Sequence, residues 1–164
     1  MARAWVFGNN VDTDQIIAGR YLVKLDPHEL AKHVMESADP NFASKVRKGD
    51  VIIAGRNFGC GSSRERAPLA LKTAGISAIV AESFARIFYR NAVNQGLPVL
   101  TRAGVRRRFK TGDKVRVDMV GGKVYNLSTG GTYKVEPLPD FILTILRAGG
   151  LLPYLKRSVG KAGR

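Results

Sequence analysis

The sequence contains one cysteine, Cys60, among its 164 residues. A single thiol excludes an internal disulfide framework, and it also excludes a metal site built only from cysteines of this chain. If an iron–sulfur cluster takes part in the function, another chain must therefore hold it.

The sequence also lacks any apolar run near the ~20 residues that a membrane-spanning helix needs. Its first five residues show no signal-peptide apolar region, so we expect a cytoplasmic protein. The length and the hydrophobic content of 45% predict one domain with an ordinary core. We expect this domain to span residues 1–156 and to be followed by a frayed basic tail, residues 157–164.

Acidic residues are few, 13 against 27 basic ones, and the net charge is +14. The basic side chains concentrate in two clusters: Arg102, Arg106, Arg107, Arg108, Lys110 and Lys114, then Lys156, Arg157, Lys161 and Arg164. Such clusters can mark a nucleic-acid-binding surface. Aromatic residues are not interleaved with them, however, and no helix-turn-helix, zinc-finger or RNA-binding signature is present. We favour solvent-exposed charge or a face matched to an acidic partner, while a basic module that binds anions or RNA stays open.

What the sequence does have is a glycine-rich segment, residues 57–65, between a predicted buried strand at 51–54 and a predicted helix at 65–74. Gly59 and Gly61 permit a tight turn, and the first turn of a following helix presents unpaired N–H groups. Together with two hydroxyls and Arg64, this arrangement predicts a site for a carboxylate or a phosphate.

The same segment has a simpler interpretation. Ser62 and Glu65 fit a capping box, in which the serine only satisfies a helix N–H group. The segment is neither a dinucleotide loop, because the third glycine is missing, nor a P-loop, because Gly-Lys-Ser/Thr is missing. A nucleophile elbow is excluded too, since neither serine is flanked as Gly-x-Ser-x-Gly. The pattern alone leaves both the helix cap and the anion site open.

The rest of the chain predicts an α/β fold. Strands are expected at residues 4–7, 51–54, 78–80 and 99–100, and helices at 27–35, 40–46, 65–74 and 84–94. The βαβαβ order from residue 51 onward implies a parallel sheet. Further on, glycine pairs separate three short strands at 114–120, 123–125 and 132–135, which are predicted to form hairpins before a last helix at 140–148.

Two groups of motifs carry a family resemblance. The first is Gly-Cys-Gly-Ser-Ser-Arg-Glu at 59–65, with Ala-Glu-Ser-Phe-Ala-Arg-Ile-Phe at 81–88, Asn91 and Gln-Gly-Leu-Pro at 95–98. The second is Thr-Asp-Gln-Ile-Ile at 13–17, followed by Tyr21 and Leu22. Over residues 3–155 the chain resembles the swivelling domain of the aconitase superfamily and, more narrowly, the separately encoded small subunits of isopropylmalate dehydratases. The resemblance implies an aconitase-type β/β/α domain with a parallel βαβαβ core and a C-terminal set of short antiparallel strands.

The resemblance also implies an activity. Such a subunit belongs to a hydro-lyase of leucine biosynthesis, which isomerises 2-isopropylmalate and 3-isopropylmalate through 2-isopropylmaleate. It is active only with a large subunit, as a heterodimer or heterotetramer, and that large subunit carries a four-iron four-sulfur cluster. This chain is therefore expected to bind neither metal nor cofactor itself.

Four site residues follow from the family motifs. Ser62 matches the serine base, and Arg64 matches the arginine that binds a substrate carboxylate. Ser63 is expected to donate a supporting hydrogen bond, and Asp14 to orient Ser62 and Arg64. Two residues of the motifs are expected to have no part in the chemistry, Asp12 as a turn residue and Cys60 as a packing residue. His28 and His33 lie on a helical segment far from the motif in sequence, and both are expected to be ordinary surface or packing residues rather than ligands.

Substrate specificity is expected to depend on the segment that contains Tyr21, Leu22, Val23 and Lys24. Val23 favours a branched alkyl group, because burying a carboxylate against it would cost several kcal/mol. Lys24, if turned inward, could instead accept the distal acid of homoaconitate, so homoaconitate and short methylated malates remain alternatives. Arg66 stands where the family frequently has histidine and adds a cation near the site.

Overall fold

The computed structural model describes residues 1–23 and 26–162, with side chains described as far as residue 160. Two sheets form its framework. The strands of the parallel sheet are Ala4–Val6 (β1), Val51–Ala54 (β2), Ala78–Ala81 (β3) and Val99–Thr101 (β4). The strands of the antiparallel sheet are Val115–Asp118 (β5), Lys123–Asn126 (β6) and Gly131–Lys134 (β7). In each sheet the strands lie in chain order, so the predicted parallel core and the hairpins are confirmed.

The helices connect and cover these sheets. They are Thr13–Ile16 (α1), Gly19–Leu22 (α2), Pro27–Ala31 (α3), Phe42–Lys45 (α4), Arg66–Ala74 (α5), Arg86–Asn94 (α6), Asp140–Ala148 (α7) and Leu151–Ala162 (α8), with a 3-10 turn at Val105–Arg108. The helices predicted around α5, α6 and α7 are confirmed, whereas the helices predicted at 27–35 and 40–46 are shorter in the structure. The short helices α1 and α2 were not predicted.

The C-terminal end differs from the sequence prediction. We expected residues from 157 onward to be frayed, but α8 continues to Ala162. Leu152, Leu155 and Val159 recur at helical spacing along it. None of the helices in the described part of the chain is both long and apolar enough to cross a lipid bilayer.

The parallel sheet is buried on both faces. In β2, Ile52 and Ala54 pack in one hydrophobic cluster with the helices, while Val51 and Ile53 pack in a second cluster with the antiparallel sheet. A strand that is buried on both faces reads as a continuous apolar run, as residues 51–54 do. The molecule thus has the predicted β/β/α layers.

One buried carboxylate joins β1 to the turn before β2. Asp50 is 1% exposed and accepts hydrogen bonds from Trp5 Nε1 at 2.9 Å, Arg47 N at 2.9 Å and Arg3 N at 3.0 Å. The guanidinium of Arg3 lies 3.2 Å from the same carboxylate. Burial alone would raise the pKa of Asp50. The hydrogen bonds and the charge of Arg3 together have the larger, opposite effect, so the pKa lies below its ordinary value.

Loops at the carboxyl ends of β1, β2 and β3 meet at one edge of the parallel sheet. Backbone hydrogen bonds run from Gly59 N to Val11 O at 2.7 Å and from Thr13 N to Cys60 O at 2.8 Å. Phe58 N donates to Ser83 O at 3.1 Å. Ligands of open parallel sheets bind at this kind of edge. The two sequence motifs, far apart along the chain, are therefore in direct contact there.

Candidate active site

The turn after β2 depends on its glycines. Gly59 and Gly61 have φ angles of +83° and +99°, in the left-handed region that L side chains rarely adopt. A Cβ at position 59 would overlap the ring of Phe88, and one at position 61 would lie 3.3 Å from Thr13 Oγ1. Glycine at these positions lets α6 and the Thr13 loop pack directly against the turn.

The structure separates the two interpretations of Ser62. Helix α5 begins at Arg66, and Glu65 occupies the N-cap position without a side-chain hydrogen bond, so the capping-box alternative is wrong. Ser62 lies in the preceding loop and is exposed. Among the described residues its hydroxyl has no hydrogen-bond partner. The serine is free to face a ligand.

A cavity of about 300 Å³ lies beside this hydroxyl. Ser62, Ser63 and Arg64 line one part of it, and Arg86 and Asn91 of α6 line another. The cavity is the size of a small-molecule site. Three of the four residues predicted for the chemistry therefore share one pocket.

Asp14, the fourth of them, contacts the cavity through Arg64. Arg64 Nη1 donates to Asp14 Oδ1 at 3.0 Å and to the carbonyl of Ile17 at 2.8 Å. The Arg64 hydrogen bond, with help from the backbone N–H of Gly19, lowers the pKa of Asp14. The guanidinium is 19% exposed and the carboxylate 67% exposed, so the pair lies at the rim.

Two further residues of the motifs have local structural roles. Asp12 caps α1: its side chain accepts from Gln15 N at 2.8 Å, and Gln15 Oε1 accepts from Asp12 N at 2.9 Å. This capping box agrees with the prediction that Asp12 is a turn residue. Cys60 is half-buried and its thiol is free.

The predicted specificity segment lies next to the site. Val23 follows α2 and is 91% exposed. Tyr21 stacks on His33 with ring centroids 4.0 Å apart and donates its hydroxyl hydrogen to Glu36 at 3.0 Å, which confirms His33 as a packing residue. Lys24 lies outside the described residues.

Arg66, the departure from the family pattern, is turned toward this segment. Its Nη1 donates to the carbonyl of Leu22 at 2.6 Å. Tyr21, Leu22 and Val23 are not among the residues that line the cavity. The carbonyl of Leu22 joins the end of α2 to the start of α5.

Sequence reasoning missed Arg86 and Asn91 as site residues. Both lie in segments that carried the family resemblance, but nothing in the residue pattern gave either a chemical role. One signal could have indicated Arg86. It is a cation at the first position of a helix whose first turn contains no acidic residue to pair with it.

The chain does not fit an iron–sulfur cluster of its own. In residues 1–23 and 26–162 no three His, Cys, Asp or Glu side chains lie together as metal ligands would. Such clusters are usually held by several cysteine thiolates, and the sequence has one cysteine.

Comparisons with known proteins show the family of this chain. The sequence profile of the aconitase C-terminal domain matches residues 9–103. The 3-isopropylmalate dehydratase small subunit 1 of Methanopyrus kandleri is 60% identical over 98% of this chain and 94% of its own length. The methanogen homoaconitase small subunit of Methanothermobacter thermautotrophicus is 56% identical over 96% of this chain and 91% of its own. The crystal structure of 3-isopropylmalate dehydratase from Methanocaldococcus jannaschii superposes with a TM-score of 0.92, at 48% identity, over 99% of this chain and 96% of the other.

Proposed function

This chain belongs to the aconitase C-terminal domain family, and we propose that within it the chain is the small subunit of a 3-isopropylmalate dehydratase. The enzyme would interconvert 2-isopropylmalate and 3-isopropylmalate through 2-isopropylmaleate, in leucine biosynthesis and in the cytoplasm. The similarity to the Methanopyrus kandleri subunit over nearly the whole of both chains supports this proposal.

One structural observation carries the proposal. Ser62 is exposed, its hydroxyl has no hydrogen-bond partner among the described residues, and it lines a cavity together with Arg64 and Arg86. Nearby cations favour the ionised form of an acid, here the serine alkoxide. This position suits a base that works beside bound carboxylates.

The residues of the chain would act in sequence. Arg64 binds a substrate carboxylate while Asp14 fixes its orientation. The Ser62 alkoxide takes the proton from the carbon next to that carboxylate, and the electron pair of the C–H bond forms the double bond as hydroxide leaves from the neighbouring carbon. Addition of water in the opposite sense returns the proton from Ser62 and gives the isomer.

Departure of hydroxide calls for a Lewis acid, which the four-iron four-sulfur cluster of a large subunit would supply. The ligands for that cluster would come from the large subunit, the partner that the proposal requires. Ser63 would support the carboxylate with a hydrogen bond.

The substrate assignment depends on Val23. Its side chain is 91% exposed, so it is available to pack against an isopropyl group. The main alternative is a homoaconitase, favoured by the 56% identity to the Methanothermobacter thermautotrophicus subunit. Lys24 would be the residue to accept the additional carboxylate in that case.

The test is reconstitution. The chain is co-expressed anaerobically with candidate large subunits, and the complex is assayed with isopropylmalate, homocitrate and citraconate side by side. We expect turnover of isopropylmalate by the complex and none by either subunit alone. Absence of turnover with every partner, together with steeply salt-dependent RNA binding, would instead favour a basic RNA-binding module.

A further inference from the structure

Part of the guanidinium of Arg64 is already engaged by protein groups. Its Nη1 atom already donates to Asp14 and to the carbonyl of Ile17. Its Nη2 lies 3.3 Å from the place where a Cβ on Gly19 would stand, so that side of the guanidinium faces the start of α2. Asp14 also offsets its charge. A substrate with two carboxylates would be bound more tightly if this cavity offered a second cationic group.

Arg86 is such a group. It lines the cavity that Ser62, Ser63 and Arg64 line, it is exposed, and in the described part of the chain it forms no hydrogen bond or ion pair. An unpaired guanidinium keeps its full charge and its planar donors for a carboxylate.

The environment of Arg86 favours an anion. Arg86 is the first residue of the nine-residue helix α6, which has no acidic residue in its first turn and no side-chain cap at Ala85. The N–H groups of a first helical turn have no partner within the helix, and the helix dipole adds positive potential there. Both effects increase the positive potential that the charge of the Arg86 side chain creates at this point.

A second, independent observation is the amide of Asn91. Its Nδ2 atom is buried without a hydrogen-bond acceptor, and the residue lies between this cavity and a second one that Glu65 and Lys72 also line. Leaving a buried donor unpaired is costly, so such a donor usually has a partner. The acceptor that is missing here is what a ligand oxygen would provide.

The position of Arg86 relative to Ser62 is well defined. Ala85 N donates to Phe58 O at 3.0 Å, and the ring of Phe88 packs where Gly59 has no side chain. The start of α6 is therefore attached to the turn that carries the serine.

We propose that Arg86 binds one carboxylate of the dicarboxylate substrate and that Asn91 donates a hydrogen bond to a substrate oxygen beside it. This inference rests on the proposed function and extends it, since Arg64 and Arg86 would then bind different carboxylates. The substrate would lie between them, above the Ser62 hydroxyl.

The test compares Arg86→Gln with Arg90→Gln in the complete complex. Arg90 is an exposed arginine one turn further along α6 and is not among the cavity residues, so it is a matched control. We expect Arg86→Gln to lower kcat/KM by about 10- to 100-fold, mainly through KM, because a charge-assisted hydrogen bond is lost. Arg86→Lys should restore part of the loss, and Arg90→Gln should match the wild type.

Two further measurements separate the possible outcomes. Light scattering at matched concentrations measures assembly, and unchanged KM together with weakened assembly would overturn the proposal in favour of a subunit contact. An inactive wild-type complex would mean that the proposed function fails. In that case the binding role of Arg86 is tested separately, by titrating the isolated chain with malonate and following it by NMR. The amide signals of residues 86–88 should shift in the wild type and not in Arg86→Gln. Wild-type signals that do not shift would overturn the proposal.

Discussion

In the proposed mechanism, the hydroxyl of Ser62 is the group on which the chemistry depends. Because it is unpaired among the described residues, its removal should cost little stability. A positioned base contributes about 10²- to 10⁴-fold to a rate. We therefore predict that Ser62→Ala lowers kcat at least about 1000-fold while the subunits still assemble.

Ser44 provides the control for this substitution. It is an exposed serine on α4, away from the cavity, and Ser44→Ala should keep wild-type turnover. Steady-state kinetics and size-exclusion chromatography of both variants make the comparison. Normal turnover by Ser62→Ala would refute the assignment of Ser62 as the base.

Asp50 is the residue at which stability should depend most clearly on pH. Asp50→Asn removes the charge that accepts from Trp5, Arg47 and Arg3, and we expect a loss of about 3 kcal/mol in the free energy of unfolding at pH 7. Asp140→Asn, at the exposed start of α7, should change it little. Urea denaturation measures both.

The pH dependence follows from the lowered pKa of Asp50. A carboxyl whose pKa is depressed by folding stabilises the protein fully above its ordinary pKa, about 4, and this contribution is lost as pH falls through the folded value. The deficit of Asp50→Asn relative to the wild type should therefore shrink as the pH decreases from about 5 to 2. A deficit that is constant over this range would contradict the role of the charge.

At the scale of single residues, the sequence predicted three of the residues that line the cavity but not Arg86 and Asn91. Ser62, Ser63 and Arg64 are neighbours in the chain, so one motif located all three. Arg86 became visible only when α6 packed on the glycine turn, because a contact between distant segments leaves no local pattern. The stacking of Tyr21 on His33 has the same origin.

Among the structural elements, the contact between α6 and the glycine turn is the most sensitive. In Gly59→Ala the alanine would have to adopt a left-handed backbone conformation, and its Cβ would overlap the ring of Phe88. We predict that the free energy of unfolding falls by about 3 kcal/mol. Gly112→Ala is the matched control, because Gly112 has a φ of +97° but open space around it. It should lose only about 1 kcal/mol.

Thermal and urea denaturation of the two variants test this prediction. The difference between them measures the packing of α6, since the backbone cost is common to both. Equal losses would show that the turn is sensitive only to its backbone conformation. Gly59→Ala should also reduce turnover in the assembled complex, because Arg86 begins the displaced helix.

The sequence pattern predicted α5, α6 and α7, but it predicted neither α8 nor the short helices α1 and α2. Helices α5, α6 and α7 each have nine residues and apolar residues at helical spacing. Helices α1 and α2 have four residues each, too few for a period to show. The capping box of Asp12 and contacts with the glycine turn stabilise α1. The contacts with the turn join segments that are distant in the chain, so a local pattern does not show them.

For the whole molecule, the net charge of +14 should affect the rate at which the chain meets its partner more than it affects the rate of the chemical step. Part of the basic cluster is already engaged internally. The guanidinium groups of Arg102 and Arg108 lie 5.4 and 5.7 Å from the ring centroid of Tyr133, and Arg102 donates to the carbonyl of Lys134 at 2.8 Å. This aromatic ring is therefore covered by arginines.

We predict that association with the large subunit is electrostatically steered. Raising the salt from about 50 to 500 mM should lower the association rate about tenfold or more, because the Debye length falls well below 10 Å. Stopped-flow fluorescence measures the rate, and Arg106→Glu with Arg107→Glu should reduce it further at low salt. A mobility shift with RNA at about 150 mM salt should be absent, and strong binding there would contradict the interpretation of the charge.

The β/β/α layering could be predicted because apolar runs and glycine pairs mark its strands. The packing of the antiparallel sheet on the parallel one could not, since it depends on contacts between segments that are distant in the chain. Ile53 of β2 and Val124 of β6, for example, belong to the same buried cluster although they lie far apart in the chain. A local sequence pattern does not reveal such a relation.

The hydrogen bond from Arg66 to the carbonyl of Leu22 has a practical consequence for protein engineering. Replacing residues 19–23 with those of a relative that uses another substrate would transfer the side chains of the segment without the residue that is hydrogen-bonded to its backbone. Position 66 should therefore be exchanged together with that segment. A chimera in which only residues 19–23 are replaced should discriminate less strongly between the two substrates.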